Sequence, residues 1–192
     1  MSTTTKVECN ENHVYTVDGR IVPGYSEVCA DLGFPKNPFW TEQGRAEGEA
    51  LSKWLLFLAQ GKEPRDPPDE RIAGRVEGIK RFFKERRFVF VGGETPLYCQ
   101  NLNVCCTPDI YGYIEEERVV IEAKRGAKMK RHRLQTACQA LALSDNGFEV
   151  SRRCCLYLKN GGYTMDEHDD EEDLECWRAL VGAYHAKKIY EK

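Results

Sequence analysis

No apolar run in these 192 residues approaches the roughly 20 residues that a membrane-crossing helix needs. The opening Met1-Ser2-Thr3-Thr4-Thr5-Lys6 is polar and lacks the apolar core of a secretory signal. Both absences lead us to expect a soluble, intracellular protein, cytoplasmic in its cell. Cysteine is plentiful, yet no Cys-x-x-Cys spacing occurs: Cys105-Cys106 and Cys154-Cys155 are adjacent pairs, and Cys9, Cys29, Cys99, Cys138 and Cys176 are scattered. An odd total of nine without a signal segment argues for reduced thiols, several of them small core residues.

A large excess of either charge is also missing, since the formal net charge is −3. That value hides an asymmetry. Residues 166–175 hold eight acids and no Lys or Arg, and removing those eight from −3 leaves the rest of the chain at +5. Bases gather at Arg125, Lys128, Lys130, Arg131 and Arg133, and again at Lys80, Arg81, Lys84, Arg86 and Arg87. Such clusters suit a phosphate backbone, and a solvated helix face is the other explanation. With 41% hydrophobic and 31% charged residues, the chain has enough apolar material for one core and too little length for two ordinary domains. We expect a single domain over 1–192 with residues 1–12 flexible.

The pattern along the chain alternates between strand and helix periods. A hairpin is predicted at 13–22 around Asp18-Gly19, then a short helix over 27–32 capped by Ser26. Ala46, Ala50, Leu51, Trp54, Leu55 and Leu58 predict a helix over 41–59 capped by Thr41, and Ile72, Val76, Ile79, Phe82 and Phe83 predict another over 69–86. Phe88–Val91 reads as a buried strand, and strands 94–99 and 104–107 as a meander in a mostly antiparallel sheet. A helix over 130–144 has Leu134, Cys138 and Leu141 as its predicted inward stripe, with Arg131, Gln135 and Gln139 on a polar face. Strands at 153–158 and 163–165 and a closing helix from Leu174 complete the chain, the acids of 166–175 sitting where that helix's dipole favours them.

The stretch with most chemical content is 108–124. Asp109 opens the run Ile110–Ile114, the acidic turn Glu115–Glu117 folds it back, and Val119-Val120-Ile121 leads into Glu122-Ala123-Lys124. Alternation puts Glu122 and Lys124 on one face of a strand. Two carboxylates and an ammonium then meet at one end of a two-stranded ribbon. Asp109 and Glu122 suit a hard cation such as Mg²⁺ or Mn²⁺ that keeps part of its water, with the Ala123 carbonyl as a further contact and Lys124 beside a reacting phosphate. The alternative is an exposed turn aspartate and an ordinary Glu/Lys strand face.

Pro108-Asp109 followed by Glu122-Ala123-Lys124 resembles the signature of the PD-(D/E)XK nuclease superfamily, and the surrounding chain resembles its RecB-like and phage exonuclease branch. That resemblance implies an α/β (α+β) fold with a restriction-endonuclease-like central mixed sheet flanked by helices. It implies a metal-dependent deoxyribonuclease of the phage or recombination exonuclease type, acting on DNA with Mg²⁺ or Mn²⁺, in the host-cell cytoplasm if phage-encoded. A homo-oligomer or a recombination partner protein is compatible with it. Asp109, Glu122, Lys124 and Gln135 would be catalytic, and Glu94 or Glu49 would join the metal site; Arg125, Lys128, Lys130, Arg131 and Arg133 would hold DNA. Some relatives carry an iron–sulfur cluster on four cysteines, and the cysteine spacing here argues against one.

The resemblance has two departures. Gly44-Arg45-Ala46-Glu47-Gly48 matches a Gly-x-x-x-His motif with Gly48 in place of the histidine, so Glu47 or Glu49 would have to substitute, surface glutamates being the other reading. Gln135 through Gln139 matches Gln-x-x-x-Tyr with Gln139 in place of the tyrosine. Both departures favour an alternative of another class, a non-catalytic DNA-binding or assembly subunit that keeps the fold. A site-specific endonuclease is a third option, for which no base-reading element is identifiable.

Overall fold

The computed structural model describes residues 5–35 and 41–191. β1 (Val7–Cys9), β2 (Tyr15–Val17) and β3 (Arg20–Val22) form a small antiparallel sheet. The predicted hairpin is present, and ahead of it Val7 pairs with Val17 and packs on the cluster of Tyr15, Val17 and Val22. α1 (Tyr25–Asp31) follows, with Gly24 as its N-cap and no side-chain cap bond. Ser26, the predicted cap, lies inside the first turn. Gly24 suits the junction because a Cβ there would stand 2.7 Å from the Tyr15 ring.

α2 (Glu42–Ala59) begins as predicted, the Thr41 hydroxyl accepting the Gly44 N–H at 3.0 Å. α3 (Glu70–Arg86) begins on Asp69, which accepts the Arg71 N–H at 2.9 Å. Their apolar stripes, Leu51 and Leu55 on one, Ile72, Val76, Ile79 and Phe82 on the other, pack together against one face of the central sheet.

That sheet contains β4 (Val89–Gly92), β7 (Ile110–Ile114), β8 (Glu117–Lys124), β9 (Arg152–Lys159) and β10 (Gly162–His168), in the order β10-β9-β8-β7-β4. β4 is an edge strand, and Val89 and Val91 are exposed, which corrects the expectation of a buried strand: the described residues leave that face open. β5 (Leu97–Cys99) and β6 (Val104–Cys106) do not join the sheet as a meander. They form a separate ribbon, because β6 is tied instead to the start of α1 through Cys105 N–H donating to Pro23 O at 2.9 Å. Cys99, Val104 and Cys106 thereby enter the second core with Val28 and Trp177.

β7 and β8 make the predicted hairpin, turning on Glu115 and Glu116, both left-handed at φ 52° and 70°. Two consecutive left-handed residues match the twist of the flanking strands, although glutamate gains nothing from that conformation. The other neighbours pair antiparallel except β8 and β9, which run parallel and therefore need a crossover. α4 (Arg131–Asp145) supplies it on the sheet face opposite α2 and α3, and α5 (Glu171–Tyr190) packs outside α4. The result is a mixed sheet flanked by helices on both faces, the α/β architecture expected. Among the described residues no helix is long and apolar enough to cross a membrane. All nine cysteines are free, seven of them buried.

Candidate active site

The pleat of β8 sorts its residues between the two layers. Val119 and Ile121 join the core under α2 and α3, whereas Val120 packs with Ala140 and Leu143 of α4. Glu122 and Lys124 share the Val120 face and so point toward α4. There Lys124 Nζ donates to Glu122 Oε1 at 2.6 Å and to Gln135 Oε1 at 2.8 Å, while Gln135 Nε2 donates to the same Glu122 oxygen at 2.7 Å. Gln139 Nε2 donates to Glu122 Oε2 at 2.6 Å. A carboxylate that is 5% exposed thus receives hydrogen bonds on both oxygens, which offsets much of its burial cost.

This corrects part of the predicted division of α4: Cys138 is buried as expected, but the polar side is not solvated throughout. Gln139 is 1% exposed, and Leu134 and Leu141 are only half-buried. Gln135 and Gln139 of the polar stripe face the sheet because Glu122 is there to receive them, and α4 is covered from behind by α5.

Asp109 arrives from the other strand of the ribbon. Ile110 pairs with Ile121, so Asp109 falls beside the end of β8, and its Oδ2 accepts the Ala123 N–H at 2.7 Å. From α2, Ser52 Oγ lies at 3.4 Å from Asp109 Oδ1. Burial raises the Asp109 carboxyl well above the ordinary range, and Glu122 raises it further; Lys124 opposes, Glu94 adds to the rise, and the Ala123 N–H opposes again. Burial alone would lower Lys124, yet the charges of Glu122 and Asp109 outweigh it and the ammonium is raised. The ammonium therefore persists. Asp109, Glu122, Gln135 and Gln139 line one cavity of about 430 Å³, which Asn12, His13, Tyr15 and the start of α1 also line.

Glu94 is exposed as a residue and has left-handed backbone at φ 50°. Its carboxyl is raised by loss of solvent and then by Glu122, so it feels the site across space, without a hydrogen bond to it among the described residues. The turn before it does more. Gly93 lies so close to the site strand that a Cβ would stand 2.2 Å from Asp109 O, and Glu94 N–H donates to Pro108 O at 2.8 Å.

The glutamates of α2 are not brought in. Glu49 pairs with Arg45 on the exposed side, and Glu47 pairs with Arg125 at 2.8 Å. Around Gly48 a Cβ would meet nothing within 4 Å. Among the described residues no three His, Cys, Asp or Glu side chains are placed to hold a metal ion.

Two of the five predicted DNA-binding bases, Lys128 and Arg133, are engaged by acids of the 166–175 run. Lys128 pairs with Asp166, and Arg133 spans Asp170 and Asp173, the latter at 2.9 Å. Buried Arg153 meets the same Asp173 at 3.0 Å. Arg133 is thus a tie between α4 and α5. Arg131 donates to the Pro35 carbonyl, and Lys128 and Lys130 remain exposed. Lys80, Arg81 and Arg86 are likewise paired, with Glu77, Glu85 and Glu167. His132 is lowered to about 4 by burial and then by Lys124 and Arg131, and its Nδ1 lies 3.1 Å from the Tyr157 hydroxyl. It stands neutral at physiological pH.

Fold and site together define an α/β protein with a carboxylate–lysine centre at the end of a β-ribbon. No family model matches the chain, and no curated protein matches it. Among solved structures, an alkaline exonuclease from Laribacter hongkongensis is similar at 12% identity, covering 86% of this chain and 87% of that one with a TM-score of 0.49. The structure of SSO0001 is similar at 14% identity, covering 74% and 69%, with a TM-score of 0.37.

Proposed function

We propose that the chain is a metal-dependent deoxyribonuclease of the exonuclease type. The observation that carries this reading is the convergence of Asp109, Glu122 and Lys124 at the end of one β-ribbon, with Asp109, Glu122 and Gln135 lining one cavity and Lys124 hydrogen-bonded to both Glu122 and Gln135. Asp109 is a carboxyl that burial and two neighbouring acids raise, which is the donor environment a divalent cation relieves. Two carboxylates fit Mg²⁺ or Mn²⁺ better than a softer metal, because such ions keep several waters and need few protein ligands. Asp109 and Glu122 would hold the ion, with the Ala123 carbonyl beside them; when bound it supplies Lewis acidity toward a phosphate.

The protein's own groups account for the rest. Lys124 is held charged and aimed by Glu122 and Gln135, ready to offset negative charge on a phosphodiester as water adds to phosphorus. Gln135 fixes both partners of that ion pair. Lys128 and Lys130 stand on the loop leaving β8 and Arg131 opens α4, where a phosphate backbone approaching the site would meet them.

End-labelled single- and double-stranded DNA incubated with the purified chain, with Mg²⁺, Mn²⁺ or EDTA, tests the reading. Metal-dependent release of label from termini is expected, and EDTA should abolish it. Binding without cleavage under every metal would overturn it in favour of a DNA-binding or assembly subunit, and cuts at one internal sequence would make it an endonuclease.

A further inference from the structure

Gln139 occupies the buried end of the site, 1% exposed and one helical turn after Gln135. Its amide N–H is committed to Glu122 Oε2 at 2.6 Å, which fixes the orientation of the group. Reversal would set the amide oxygen against a carboxylate oxygen. The carbonyl Oε1 then has no donor within reach among the described residues, although it is fully buried. A buried acceptor left bare is unfavourable and calls for a partner. Gln139 borders the same cavity as Asp109 and Glu122, and that cavity, at about 430 Å³, has room for several waters.

We infer that Gln139 is a water-positioning residue: its N–H holds Glu122 in place and its Oε1 accepts a hydrogen bond from a water standing in the cavity beside Asp109 and Glu122. This rests on the hydrolase reading for the role of that water, which is the oxygen that adds to phosphorus. The water's second proton and its lone pair are then directed away from Gln139, toward the carboxylates and the substrate. The residue that departs from the family tyrosine is, on this inference, part of the machinery and not a mark of its loss.

Two measurements on the full chain decide it. A crystal structure of the unmodified protein should show an ordered water within about 3.2 Å of Gln139 Oε1 on its cavity side; a dry Oε1 overturns the inference whether or not the chain cuts DNA. Steady-state cleavage by Gln139→Met, close in volume and unable to donate or accept here, should lose about 100-fold in kcat with KM for DNA within twofold of the parent. A kcat within threefold of the parent overturns the inference. A parent chain that cuts no DNA refutes the nuclease reading, and the crystallographic arm still decides whether Gln139 holds a water. If the methionine variant fails to fold, that arm decides as well.

Discussion

Lys124 Nζ stands 2.6 Å from Glu122 Oε1, two positions along the same strand, and both groups project toward α4. The lysine therefore neutralises the carboxylate on which a cation would also draw. Lys124→Ala is expected to lower DNA cleavage by about 100-fold, the scale of one electrostatic group, while Mn²⁺ binding is kept or tightened. Lys124→Arg should rescue poorly, because a planar fork does not reproduce a compact ammonium between Glu122 and Gln135. Parent-like turnover by Lys124→Ala would refute the assigned role.

The two carboxylates should respond oppositely to neutralisation. Asp109 is raised by its surroundings, so Asp109→Asn should raise the Tm of the metal-free chain by about 3 °C, the shift that about 1 kcal/mol gives at this size, while abolishing cleavage. Glu122 receives donors on both oxygens, and an amide turns one of them into a donor facing donors. Glu122→Gln should therefore lower the metal-free Tm. Calorimetry in EDTA reads both, and shifts of the same sign would show that the charge environment is misjudged.

Gly93 is the support under Asp109. The atom that a Cβ would meet, at 2.2 Å, is a backbone oxygen and has little freedom to yield. Gly93→Ala should displace Asp109, costing about 1–3 kcal/mol of stability and at least tenfold in cleavage. A variant with unchanged Tm and turnover would show that the turn gives way freely.

Acid pairing of the basic loop makes a prediction about salt. Asp166→Asn releases Lys128, so the logarithm of DNA affinity against the logarithm of salt should steepen by about one unit. Arg133→Gln should leave that slope unchanged and lower Tm, since it loosens α4 from α5. A slope that falls with Arg133→Gln would return Arg133 to the phosphate contacts.

Much of this arrangement is readable in the sequence, and the unreadable parts have identifiable causes. Period-2 alternation suffices to place Glu122 with Lys124, and the short acidic turn to bring Asp109 beside them. The helix cap at Thr41 is visible because it lies just before an apolar stripe. Gln139 is harder, since a polar residue at helical spacing reads as solvated unless a buried acceptor is known to face it; its i, i+4 spacing from Gln135 was the available signal. The exposure of β4 and the detachment of β5 and β6 depend on which elements cover which sheet face, and no local pattern encodes that. The pairing of 166–173 with 128–153 is likewise a long-range fact, concealed by a run of acids that has a sufficient local explanation.

The crossover through α4 has a consequence for how the protein can vary. Asp109, Glu122, Lys124, Gln135 and Gln139 all lie between positions 109 and 139, on a ribbon and the helix that directly follows it. The polar centre is thus written in one uninterrupted passage of chain, while α1, α2 and the N-terminal sheet reach it from outside that passage. Insertions, exchanges or drift in those outer elements reshape the entrance without disturbing the spacing of the five groups. A lineage built this way can change what it admits faster than what it does.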